Sequence, residues 1–124
     1  MAVATLGAVV LDCPDPRELA AFYSAVLGWS VDPGSDDDWV EIVGPHDQRL
    51  GFQRVEDHRP PRWPDPAHPQ QLHLDFEIPQ GTEDEAERRV IELGAVLLAG
   101  NATPTSNFRV YADPVGHPFC LCAH

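Results

Sequence analysis

Four side chains in this sequence carry atoms that could bind or transform a ligand at close quarters: His73, Asp75, Cys120 and Cys122, with His124 at the end of the chain. Each group is spaced two residues apart, the spacing that puts strand side chains on one face. An imidazole beside a carboxylate is a donor or base whose tautomer the acid fixes, and a thiol within its reach is a possible nucleophile. The alternatives are plainer. His73 also reads as a partly exposed sheet histidine hydrogen-bonded to Asp75 or a neighbouring strand, and Cys120 as a small buried apolar side chain. On a flat strand, residues two apart are separated by about 6–7 Å, too far for a tight His73–Asp75 pair without bending. The same spacing argues against a zinc ion gripped by Cys120, Cys122 and His124 together with His73. Asp36, Asp37 and Asp38 lack the spaced ligands and closing glutamate of a calcium loop and read as a solvated turn.

The segment that carries the histidine, QQLHLDFEI, sorts its residues by chemistry. Leu72, Leu74, Phe76 and Ile78 lie on one face and Gln71, His73, Asp75 and Glu77 on the other, which predicts a strand over 71–78. Further strands are predicted at about Leu6 to Asp12, Trp29 to Asp32, Trp39 to Val43, Leu50 to Val55, Ala95 to Leu98, Phe108 to Ala112 and Pro118 to Cys122. Asp15, Pro16 and Glu18 form a capping box ahead of Leu19, Phe22, Tyr23, Val26 and Leu27 at helical spacing, and Gly28 stops that helix. Thr82 to Glu85 reads as a second capping box, followed by a helix through Ala86, Val90, Ile91 and Leu93 and a stop at Gly94.

The order strand, helix, three strands therefore occurs twice, with Val26-Leu27-Gly28 and Glu92-Leu93-Gly94 in register 66 residues apart. This predicts an α+β fold of two paired βαβββ modules forming a curved eight-stranded sheet, a cup with both helices on its convex face. The chain is expected to be one domain over residues 1–124. Its first module spans about 1–55, a proline-stiffened connector 56–69, and the second module about 70–124. The helix-covered face should carry Val9, Leu11, Val40, Ile42, Leu50, Phe52, Leu72, Leu74, Phe76, Phe119 and Leu121. The other face mixes Ala8, Val10, Trp39, Glu41, Gly51, Gln53, His73, Asp75 and Cys120, a composition closer to a ligand-lined site than to a solvated surface. Trp63, in the connector, either caps such a cup or covers a sheet edge.

The formal charge of −12 repels phosphate backbones and anionic lipid, so the expected partner is a small molecule, with no nucleic acid and no membrane. All eight basic residues are arginine, which removes Schiff-base chemistry and any phosphate-loop lysine. Three cysteines without metal-finger spacing suit free thiols, and the apolar N-terminus has no basic flank; a cytoplasmic location is expected.

The phrases Leu11-Asp12-Cys13-Pro14-Asp15, Leu27-Gly28-Trp29, the run from Trp63 to Asp75, and Ala112-Asp113-Pro114-Val115-Gly116-His117-Pro118-Phe119-Cys120 together resemble the vicinal-oxygen-chelate superfamily. The resemblance is to its small glyoxalase-like, bleomycin-resistance-like members. It implies a homodimer and, in members that do chemistry, one divalent metal held from the first, fourth, fifth and eighth strands. Those positions fall on Ala8, on Gly51 or Gln53, on His73 and on Cys120; His73 alone keeps the family's ligand type. No metal and no cofactor is therefore expected. The expected function is binding of a small organic molecule, with His73 as the anchor and tentative catalytic group, and Trp39, Gln53, Trp63, Asp75 and Cys120 completing the ligand site. The alternative is a metal-dependent lyase, isomerase or dioxygenase that recruits Glu41, Gln53 or His124. A third reading, an interaction domain whose mixed face is a dimer seam, predicts no cavity.

Overall fold

A computed structural model describes residues 2–100 and 107–123. The described residues form two compact units, 1–58 and 59–124 in chain terms, divided within the proline-rich stretch. They hold two helices and eight strands in two four-stranded mixed sheets, an α+β arrangement in which each unit repeats the order strand, helix, three strands. No described helix is long and apolar enough to cross a membrane.

In the first unit, β1 (Val9–Cys13), β2 (Ser30–Val31), β3 (Trp39–Val43) and β4 (Arg49–Arg54) assemble in the order β1-β4-β3-β2. The β1–β4 pair is parallel, so the chain must cross over, and α1 (Pro16–Leu27) is that crossover. Its start makes the N-cap half of the capping box read from the sequence: the Asp15 carboxylate accepts the Glu18 N–H at 3.4 Å with Pro16 at the first helical position. Gly28 ends it at φ 70°, donating its N–H to the Ser24 carbonyl at 2.8 Å. The helix lies over β3 and β4, where Val40, Ile42 and Phe52 are fully buried with Leu19 and Tyr23. The Tyr23 and Phe52 rings stack with centroids 5.8 Å apart.

The second unit repeats the plan with β5 (Leu74–Ile78), α2 (Glu83–Glu92), β6 (Val96–Ala99), β7 (Phe108–Ala112) and β8 (Pro118–Ala123), in the order β5-β8-β7-β6. Phe119 is the centre of its core, stacked on Tyr111 at 5.4 Å and tilted against Phe76 at 5.8 Å. The α2 side of β7 is polar at its margin. The Tyr111 hydroxyl donates to Glu87 at 3.0 Å, and Arg109 bridges Asp84 at 3.0 Å and Glu87 at 3.5 Å. Because Arg109 and Tyr111 take that face, alternation sends Phe108 and Val110 to the other.

Several expectations need correction. The strand predicted over 71–78 begins only at Leu74, and Leu72, assigned to the buried face, is 53% exposed. The first strand starts at Val9 instead of Leu6, which is also exposed. The second capping box is not made. Thr82 closes a turn on Pro79, where its hydroxyl donates to the Pro79 carbonyl at 2.6 Å, and the Glu83 carboxylate accepts the Gly81 N–H instead. Gly81, at φ 86°, takes the left-handed backbone that the tight turn uses.

Candidate functional site

The site is built on β5 and β8. These strands run parallel with Asp75 opposite Cys120 and Glu77 opposite Cys122, so a carboxylate and a thiol stand side by side on the face away from α2. The β7–β8 hairpin extends that face, pairing Val110 with Cys120 and Phe108 with Cys122. Its register is fixed by the turn at 113–117. The buried Asp113 carboxylate accepts three backbone N–H groups, from Val115 and Gly116 at 2.9 Å and His117 at 3.0 Å. Gly116 sits at φ 110°, and a side chain there would meet Pro60 at 2.8 Å, so the turn needs glycine on both counts.

Immediately before β5 the chain has left the flat strand path, and this changes the histidine's reach. His73 Nε2 lies 3.2 Å from Asp75 Oδ1, where an ideal strand would hold the two apart; the pair judged too distant from spacing alone is made. The Cys120 thiol completes the group. The ligand atoms of His73, Asp75 and Cys120 all lie within 4.8 Å of one another.

The third wall comes from the connector. Residues 62–68 fold on themselves: Arg62 N–H donates to the His68 carbonyl at 2.8 Å, His68 N–H returns to Asp65 at 3.1 Å, and the Asp65 carboxylate takes the Ala67 N–H at 2.9 Å. That local closure holds Trp63 against the sheet face. Trp63, Phe108, Val110 and Pro118 then enclose, with His73, Asp75, Gln70, Cys120 and Cys122, a cavity of about 410 Å³. This is within the size range of small-molecule sites.

Electrostatically the cavity holds a carboxylate and an imidazole but no guanidinium among its described lining residues. Burial, then the charge and hydrogen bond of Asp75, push the Cys120 thiol up to about 12. Burial and the nearby Asp75 and Glu77 raise Cys122 as well. Neither is the activated thiolate a nucleophilic mechanism needs. Gln70 adds an unmet group, since its Oε1 is shut away from solvent without a hydrogen-bond partner.

Of the residues picked from sequence, the structure brings His73, Asp75, Trp63 and Cys120 together. Trp39 and Gln53 belong to the first unit, facing each other across β3 and β4. There the Trp39 indole N–H donates to Glu41 at 3.0 Å, and Glu41 lies 3.7 Å from Arg49. His124 lies outside the described residues. Sequence reasoning missed Gln70, Asn107, Pro118, Phe108 and Val110 as lining residues. The last two had a signal: counting back from Cys120 through the Asp113 hairpin puts both on the thiol's face.

Residues 8–122 match the family described as the glyoxalase-like domain. The chain belongs to that family. Solved structures sharing the glyoxalase-like fold include a glyoxalase/bleomycin resistance protein/dioxygenase family enzyme from Burkholderia phytofirmans PsJN, at 18% identity and a TM-score of 0.75, covering 95% of this chain and 97% of that one. A glyoxalase/dioxygenase from Nostoc punctiforme is 20% identical with a TM-score of 0.72, covering 96% of this chain and 90% of that one. A glyoxalase-related enzyme from Fulvimarina pelagi is 18% identical with a TM-score of 0.73, covering 98% and 89%. No curated protein matches the chain.

The superfamily's divalent ion can be tested against the glyoxalase-like residues present. In the first unit Ala8 and Gly51 offer no donor atom, and a side chain at 51 would stand 3.4 Å from the Trp39 ring and 3.2 Å from Val10. Carbon atoms of Val10, Trp39 and Glu41 crowd position 51, and Gln53, the other fourth-strand position, carries a neutral amide opposite Trp39. The family's usual ligand set does not fit this chain.

Proposed function

We propose that this glyoxalase-like protein binds a small organic molecule in the second-unit cavity through side chains alone. One observation carries the reading: a cavity of about 410 Å³ whose wall includes Trp63, Phe108, Val110 and Pro118 and whose polar lining includes Gln70, His73, Asp75 and Asn107. An apolar body with a few convergent polar groups is the chemistry by which small ligands are held and oriented. His73, whose Nε2 lies 3.2 Å from Asp75 Oδ1, offers the ligand its other ring nitrogen as donor or acceptor.

A second reading, a metal-dependent enzyme with a substitute ligand set, is favoured by the convergence of His73, Asp75 and Cys120. That trio is a different donor set from His73 with Glu41, Gln53 or His124, the set considered from sequence. It supplies the minimum of three protein donors, one of them a thiol that must first lose a tightly held proton.

Metal analysis of protein purified without chelator, with a thermal-shift series in divalent ions, separates the two. The proposal expects no stoichiometric ion and no ion-specific rise in melting temperature. A stoichiometric ion lost in His73→Ala overturns it.

A further inference from the structure

Resting on the cavity reading above, we infer that the preferred ligand is a small aromatic or otherwise flat apolar molecule carrying a protonated amine. Asp75 is the one carboxylate among the described lining residues, and its side chain is 59% exposed. A carboxylate offers about four lone-pair sites, and the Cys120 thiol with the nearby His73 ring occupies only part of the Asp75 group. An ammonium brings up to three N–H donors and one positive charge to this carboxylate.

The walls favour the same class. Trp63 and Phe108 present ring faces or edges to the cavity, and an indole is the strongest of the side-chain partners for a cation. An anion finds nothing equivalent. No arginine lines the cavity among the described residues, the chain contains no lysine, and the net charge of −12 raises the local concentration of cations.

The test compares three probes of one shape by titration calorimetry on the full chain at neutral pH: naphthylmethylamine, naphthalenemethanol and naphthoate. The amine is expected to bind about tenfold or more tightly than the alcohol, with the acid weakest, as one charge-assisted hydrogen bond would give. Asp75→Asn, at an exposed position, is expected to erase the amine's advantage over the alcohol. Trp63→Ala is expected to weaken amine and alcohol alike. Binding of the acid as tightly as the amine, or an amine preference that survives Asp75→Asn, overturns the inference. If that binding is still weakened by Trp63→Ala, the cavity reading stands and only the ligand class is wrong. Failure of all three probes at millimolar concentration overturns both.

Discussion

The reactivity of Cys120 can be worked out from its surroundings. Its thiol is pushed up to about 12, first by burial and then by Asp75. At about pH 8 such a group is roughly one part in ten thousand thiolate, against about a quarter for an ordinary cysteine. A more basic thiolate attacks faster, by roughly fortyfold over that interval, which leaves a net deficit of about sixtyfold. Burial of the side chain slows approach further. Iodoacetamide labelling followed by peptide mapping measures this, with Cys120 in the denatured chain as the reference. The folded rate should be at least about sixtyfold lower and should rise about tenfold per pH unit through about pH 10 without a plateau. Asp75→Asn, which removes one of the two causes, should speed labelling. A folded rate within a few fold of the reference, or a plateau by about pH 9, would refute the reasoning and restore Cys120 as a nucleophile.

Asp113→Ala strips three backbone N–H groups of their charged acceptor and should destabilise the protein by about 2–4 kcal/mol in urea titrations, since the turn is only partly closed to water. Asp15→Ala, which removes a long cap hydrogen bond from α1, should cost about 1 kcal/mol by the same assay. Asp32, held low by Arg49, Asp36, held low by the Asp38 and Trp39 amides, and Glu85, held low by Arg88, bind fewer protons folded than unfolded. Their stabilisation is complete above the ordinary carboxylate value of about 4 and is lost as pH falls through their lowered values, so urea midpoints should drop in acid and Asp32→Asn should flatten the drop.

Local chemistry made the architecture legible. The Asp15-Pro16-Glu18 signature and Gly28 bound α1 where they were expected to, and alternation placed Val40, Ile42 and Phe52 beneath it. Thr82 carried the same signature as Asp15 but fell into a Pro79 turn, because a hydroxyl serves a nearby carbonyl as readily as a helix end. The site was half legible. His73 and Cys120 followed from alternation and family resemblance, whereas the His73–Asp75 contact depends on the chain bending just before β5, which an ideal strand does not do. Phe108 and Val110 come from the far side of a hairpin, and Gln70 from a segment with no periodicity. Register brings the first two to the site; nothing in the spacing marks the third.

The central claim is that the second-unit cavity receives a small molecule, and amide spectra of labelled protein titrated with naphthylmethylamine examine it most directly. The account predicts saturable shifts gathered at His73, Asp75, Phe108, Val110 and Cys120, unaltered by chelator. Shifts spread over both units, or shifts that vanish when chelator strips a divalent ion, would contradict it.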